Sequence, residues 1–299
     1  MEGYGLSFQE YEKMKPEIAK VDLLTHMDKL RWAFARKPDR IEHFSQEVKK
    51  KFIKVFGNES LETQLVGGRT ATGVVRVGNT VRRPVGPNSE FIHTLLKLLE
   101  EKGFDHAPRF LGIDEKGREI LTFIEGEAHH EEMSLTEGQL INIAQMLRDF
   151  HDATAGSELA QGKEVVCHND VAPWNTIIQN DMPIAFIDFN DATPGNRVDD
   201  FAYFLWTFLK LGSDIPVNVQ ATKIRKLCEV YGFTDKDKLI DAILEQQEKI
   251  LAKREMLASN SEAQESREFS ASRVSMIRSE IEWVKANRSI LEATNISLF

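Results

Sequence analysis

Cysteine is scarce in this 299-residue sequence: Cys167 and Cys228 are the only two, too few for a disulfide framework or a cysteine metal set. That scarcity points to a reduced, cytoplasmic compartment. No stretch approaches the ~18 uncharged apolar residues of a membrane span, and the most apolar run, Phe201 to Leu209, is short enough for a buried helix. The opening segment, MEGYGLSFQEYEKMKPE, lacks the apolar core of a secretion signal. Positive charge is also short: 38 Lys and Arg against 47 Asp and Glu leave a formal net charge of -9. Nucleic-acid binders usually carry a basic face, so this balance argues against a phosphate-backbone partner while tolerating a cationic one. What is present, 41% hydrophobic and 28% charged residues, is the composition of a soluble globular chain long enough for one two-lobed unit or two ordinary domains.

The apolar periodicity changes character along the chain. Up to about Ser60 it is helical: Leu23, Leu24, Met27, Leu30 and Phe34 recur at helix spacing, Lys37-Pro38 interrupts them, and a second helix is expected from Asp39 to about Phe56. Lys49 to Lys51 lie near Glu42 and Glu47 and read as a solvated helix face. From Gln64 the pattern becomes strand, glycine-containing loop with Gly67, Gly68 and Gly73, strand, tight Gly78-Asn79 turn, and strand to Pro84. A helix is expected over Ser89 to Lys102, then a strand pair over Ala107 to Asp114 and Arg118 to Gly126. Helical spacing returns from Leu135 to Ala153 and in Val219 to Tyr231, Lys236 to Ser259 and Glu262 to Ile296.

The chemistry concentrates between Val165 and Trp206. Two β-type runs, Asn175 to Gln179 and Ile184 to Phe189, flank a turn at Asn180 to Pro183, so a hairpin is expected to join its polar ends. Those ends carry His168, Asp170 and Asn175 on one side and Asp188 on the other. A carboxamide and a carboxylate suit a hard divalent cation, and a further carboxylate can meet a hydroxyl. Taken singly, each piece reads as an Asx-rich turn or a strand end.

His168-Asn169-Asp170, then Asn175 five places after the Asp, then Ile187-Asp188-Phe189 after a hairpin, resembles the aminoglycoside phosphotransferase and choline kinase family, relatives of the protein kinases. The resemblance spans about Gln64 to Leu209 and implies an α+β, protein-kinase-like two-lobed fold: a helical N-terminal extension (1-60), a β-rich nucleotide-binding lobe (61-124) and a helical lobe with the acceptor site (125-299). It implies that Asp170 is the catalytic aspartate, that Asn175 and Asp188 hold Mg²⁺ against the ATP phosphates, and that His168 braces the loop. Gly67, Gly68 and Gly73 would lie over the phosphates. Arg82, or its neighbour Arg83, would grip them, with Glu90 or His93 as the helix partner, and the backbone of Thr122, Phe123 and Ile124 would meet the base. The remaining Arg83 is expected to face solvent or the helix. Asp200 is expected to cap its helix or hold the loop's amides, and His151 reads as a satisfied core histidine rather than a base.

Asn169 stands where the family usually carries Gly, and Asn190 where protein kinases do. The implied reaction is transfer of the γ-phosphoryl group of ATP to a hydroxyl of a small molecule. Aminoglycosides, choline, ethanolamine, homoserine and sugars all remain open as acceptors, GTP as the nucleotide and a nucleotide-binding pseudokinase as the alternative. Acidic residues on the last helices, among them Glu255, Glu262, Glu280 and Glu282, could greet an amine-rich acceptor, although charged outer faces are the plainer reading. The short loop after Asp188 and the lack of an Ala-Pro-Glu segment disfavour a protein kinase. Oligomeric state is open.

Overall fold

The computed structural model describes residues 8–56, 62–65, 73–128, 135–235, 238–260 and 264–293. The chain divides into two compact units, Met1–Pro84 with Leu111–Phe123, and Val85–Phe110 with Ile124–Phe299.

In the first unit, α1 (Phe8–Arg36) and α2 (Ile41–Phe56) pack on each other across a 3-10 turn at Pro38–Arg40. Proline disfavours helical backbone at the residue before it, so the first helix stops where the sequence places Lys37-Pro38. Leu23 and Ala33 are buried, and Lys51 reaches across to Asp22 at 2.6 Å. A five-stranded sheet follows, built from β1 (Glu62–Gln64), β2 (Val75–Val77), β3 (Thr80–Pro84), β4 (Phe110–Ile113) and β5 (Arg118–Thr122) in the order β1-β2-β3-β5-β4. The β2–β3 link is the expected two-residue turn. Gly78 there has φ +60°, a conformation glycine adopts without Cβ strain.

The second unit holds α3 (Ser89–Glu101), β6 (Glu127–Ala128), α4 (Glu137–Thr154), β7 (Val165–Cys167), β8 (Thr176–Gln179), β9 (Met182–Phe186), β10 (Thr193–Gly195), α5 (Arg197–Leu209), α6 (Val217–Tyr231), α7 (Leu239–Asn260) and α8 (Gln264–Glu292). Thr136 and Gln139 cap α4 reciprocally, satisfying N–H groups that the first helical turn leaves over. The stripe Leu140, Ile143, Ala144, Leu147, Phe150 and His151 of α4 is buried, as its spacing predicts. α5 is apolar nearly all round and is accordingly buried nearly all round, Phe201, Phe204 and Leu205 completely. Each such side chain contributes about 1.5–3 kcal/mol by leaving water. α7 and α8 run antiparallel, cross-linked by Arg278–Glu255 and Arg288–Asp241. Among the described residues no helix is long and apolar enough to cross a membrane.

The chemistry-bearing hairpin is β8–β9, tighter than its sequence suggests. Met182 pairs with Gln179 and Pro183 with Ile178, so both belong to the strand and not to the turn. The turn is Asn180-Asp181 alone, with φ +50° and +61°, the two-residue form that matches strand twist. β9 ends at Phe186, which leaves Asp188 beyond the strand. β8 also pairs with β6, and Gly126 lies at that junction with φ +141°. A Cβ at Gly126 would fall 2.6 Å from Ile177 Cγ2 and 2.7 Å from the Ile178 carbonyl oxygen. Gly126→Ala should therefore destabilise the protein by about 2 kcal/mol or more, measured as a lowered midpoint in urea unfolding, because both the backbone conformation and the close contact oppose it.

Candidate active site

The loop that follows β7 is organised by a buried carboxylate. Asp200, fully buried near the start of α5, accepts the His168 N–H through Oδ2 at 2.6 Å and the Asn169 N–H through Oδ1 at 2.7 Å. The Nε2 of His151 lies 3.1 Å from the same Oδ2, and its Nδ1 lies 2.5 Å from the Tyr231 hydroxyl. His151 is thus the satisfied core histidine. Burial alone would push the Asp200 carboxyl up, but the His151 hydrogen bond and charge and the His168 contributions outweigh it and hold it below the ordinary aspartate range. Of the two roles expected for Asp200, holding the loop's amides is the one realised. The N–H that opens α5, that of Asn196, goes to Asp199 instead. Ligand atoms of His151, Cys167 and Asp200 lie within 4.8 Å of one another. They act as a hydrogen-bonded brace: the Cys167 thiol, pushed far up by burial and then by the nearby aspartates, donates to the Asn196 carbonyl.

On this support the loop presents Asp170. Its Oδ2 accepts from Asn175 Nδ2 at 2.7 Å, and its Oδ1 accepts from the Tyr203 hydroxyl at 2.8 Å. Burial, then the Asp170 charge, drives the Tyr203 hydroxyl well up, so it serves as a donor. Asn175 also donates to the Asp170 carbonyl, which fixes its carboxamide and turns Oδ1 away from Asp170 as an acceptor. Asp188 is tied in through the main chain of Ile187. The Ile187 N–H donates to the Asn175 carbonyl at 2.9 Å, and the Ile187 carbonyl accepts from His168 Nε2 at 3.1 Å. His168 is completely buried and its Nδ1 accepts the Asp170 N–H at 3.3 Å, the bracing expected of it. Asp170, Asn175 and Asp188 therefore sit on one hydrogen-bonded frame.

The two asparagine departures have different explanations. Asn169 takes φ +62°, a left-handed conformation that asparagine tolerates better than most residues with a Cβ. Its side chain then donates to the Asp191 carbonyl and to Thr193 Oγ1, both at 2.9 Å. Asn190 lies in a 3-10 turn, Phe189–Asp191, and the positive φ of that segment falls on Asp188 at +63°. Glycine is not required at 190. Asn88, just before α3, donates to the Ala192 carbonyl at 3.0 Å, and Lys253 of α7 reaches Asp191 at 3.0 Å, so this segment is held from three elements.

The nucleotide-side candidates distribute as follows. Gly67 and Gly68 lie outside the described residues. Gly73 has φ +87° just before β2. Arg82 bonds Thr80 Oγ1 at 2.5 Å and lies 3.9 Å from Asp114, while Arg83 pairs with the almost fully buried Glu119 of β5 and not with solvent. Glu90 is exposed in the first turn of α3, and His93 stacks on Phe110 at 3.7 Å. Thr122 pairs with Thr80 at the end of β5, the Phe123 N–H is given to the Asn79 carbonyl at 2.8 Å, and Ile124 opens the second unit's longer run. Sequence reasoning passed over Tyr203 and Tyr231. For Tyr203 the local hint is a hydroxyl in a mostly apolar helix, which needs a partner when buried but does not say which one.

Residues 155–235 match the family model described as Phosphotransferase enzyme family. A curated relative, the trifolitoxin immunity protein of Rhizobium leguminosarum bv. trifolii, is 34% identical over 196 residues, covering 58% of this chain and 74% of that protein. The chain belongs to the phosphotransferase enzyme family. The structure of an ethanolamine kinase from Plasmodium vivax resembles this phosphotransferase with a TM-score of 0.55 at 15% identity, over 80% of this chain and 90% of that one. The GDP complex of aminoglycoside 2′-phosphotransferase-IIIa gives 0.53 at 14% identity, over 81% and 99%. The fold of the phosphotransferase is thus the protein-kinase-like one that the sequence implied.

Asp200→Asn should lower the stability of the phosphotransferase by about 3 kcal/mol in urea unfolding, since the amide would set an N–H group against the donors that the carboxylate now accepts. The folded carboxyl is held below its unfolded value, so its contribution is complete above that value, about pH 4, and is lost as pH falls through the folded one. The gap between wild type and Asp200→Asn should accordingly narrow below about pH 4.

Proposed function

We propose that this chain transfers the γ-phosphoryl group of ATP, with Mg²⁺, to a hydroxyl of a small molecule. The observation that carries this reading is the single frame joining Asp170, Asn175 and Asp188 through Ile187. In the proposed step the acceptor oxygen forms a bond to the γ-phosphorus as the bond from that phosphorus to the β–γ bridging oxygen breaks and ADP leaves. The hydroxyl proton passes to the Asp170 carboxylate and from there to water. Phosphoryl transfer has a loose transition state, so Asp170 is asked mainly for alignment. Asn175 and Tyr203, one on each carboxylate oxygen, supply that alignment.

The donor set fits a magnesium ion. Asn175 Oδ1 and the Asp188 carboxylate are hard oxygen ligands, and so small a protein contribution leaves octahedral positions for phosphate oxygens and water. When bound, the ion neutralises the charge on the transferring phosphates. Arg82 is the proposed phosphate-gripping cation, with Gly73 on the phosphate side and the connector of Thr122, Phe123 and Ile124 toward the base. A cytoplasmic location suits a reaction that draws on ATP.

Asp170→Ala should lower kcat by about 10²-fold or more while nucleotide affinity, measured calorimetrically, stays close to wild type. Asp188→Ala should abolish the Mg²⁺-dependent part of nucleotide binding in the same titration. Normal turnover by Asp170→Ala would remove the basis of this reading.

A further inference from the structure

The acidic residues expected to greet an acceptor on α7 and α8 are engaged along the helices. Glu255 pairs with Arg278 at 2.6 Å and Glu282 with Lys285 at 3.4 Å, while Glu280 accepts the Trp206 indole N–H at 3.0 Å. Glu262 lies outside the described residues. The exposed apolar surface is gathered elsewhere. Seven of the fourteen exposed large apolar side chains among the described residues lie on α1 between Met14 and Phe34, with Val21, Leu24 and Phe34 at 63%, 60% and 64% exposure. Such a gathering on one element marks an interaction surface, whereas apolar residues exposed singly need no explanation.

The side of α1 that meets α2 is a different one. Leu23 and Ala33 are buried there, and Asp22 takes Lys51 from α2. Successive helical residues turn by about 100°, so Glu17, Leu24 and Arg31, seven apart, form a column on the side opposite Asp22, Leu23 and Ala33. All three are exposed.

The column is self-complementary. Glu17 stands seven residues before Leu24 and Arg31 seven after it. A second α1 laid antiparallel, Leu24 against Leu24, therefore brings Glu17 of each copy to Arg31 of the other. The same register sets Val21 level with Met27 of the second copy and Met14 level with its Phe34. A parallel copy would set Glu17 against Glu17 and Arg31 against Arg31, and like charges oppose that arrangement. Glu17 already holds Lys20 of its own helix at 2.7 Å, but that pair is exposed, and a carboxylate has lone pairs for a second cation. From Met14 to Phe34 the face runs about 30 Å and is about 10 Å wide. That is smaller than the ~800 Å² per partner of a standard interface, so association through it is weak and reversible.

We propose that this face of α1 joins two copies of the chain, antiparallel about Leu24, in a weak two-fold dimer. The inference uses no residue of the phosphotransferase site and does not rest on that reading. The test is sedimentation velocity of the full chain from about 1 μM to about 200 μM, a range suited to an interface of this size. Wild type should move from the monomer mass toward twice that mass. Leu24→Asp, which sets two carboxylates face to face on the two-fold axis, should leave monomer throughout. Glu17→Arg and Arg31→Glu should each weaken association by about tenfold, because the two-fold repeats every like-charge contact. The double variant, Glu17→Arg with Arg31→Glu, exchanges the two charges and should return to near wild-type association. Far-UV circular dichroism and thermal unfolding of each variant serve as the folding controls. A wild type that is monomeric at the highest concentration, a dimer that survives Leu24→Asp, or a double variant no better than either single one overturns the inference. Uptake of a monomeric wild type by phosphatidylserine vesicles also overturns it, by assigning the face to a membrane surface.

Discussion

A carboxylate without access to water, Asp200, is the constraint on which the site depends. Its two oxygens collect the backbone N–H groups of His168 and Asn169 and the imidazole of His151. A buried charge of this kind is tolerable only when fully hydrogen-bonded, so its partners fix the backbone of His168 and Asn169 and thereby the point at which the chain departs toward Asp170. The rest follows by succession. His168 takes the Ile187 carbonyl, Asn175 receives the Ile187 N–H, and Asp188 is delivered beside them. A side chain that touches none of the reacting groups in the proposed chemistry sets the geometry of those that do.

Legibility in the sequence follows the range of the interaction. Helix limits and the β2–β3 turn could be read locally, because proline, glycine and apolar spacing act within a few residues: the break at Lys37-Pro38 and the Gly78-Asn79 turn appear where expected. The β8–β9 turn was misjudged because Pro183 reads as a breaker, although it is tolerated opposite Ile178 beside a register irregularity. Asp170, Asn175 and Asp188 could be picked out because their order and spacing resemble a family pattern. Tyr203 could not, since its role depends on α5 turning that hydroxyl toward a loop 33 residues earlier in the chain, and nothing local encodes that distance.

The segment from Asp188 to Thr193 shows a conformational requirement moving between residues. The backbone needs left-handed geometry at Asn169 and Asp188, not at Asn190. Asparagine at 169 meets that need and uses its amide to tie the two loops together, which glycine could not do. With Asn88 and Lys253 holding the same segment, the loop bearing Asp188 is fastened from α3, from the His168 loop and from α7. Such bracing favours a site organised in advance, as a reaction governed by alignment demands.

Charge illustrates how composition and placement can point in opposite directions. The formal net charge of -9 tolerates a cationic acceptor, yet net charge governs solubility and long-range steering, whereas binding in a site is decided by the few groups within reach. On α7 and α8, Glu255, Asp241 and Glu282 are each paired with a cation, Arg278, Arg288 and Lys285. Counting acidic residues on these helices therefore overstates the negative charge they leave uncompensated.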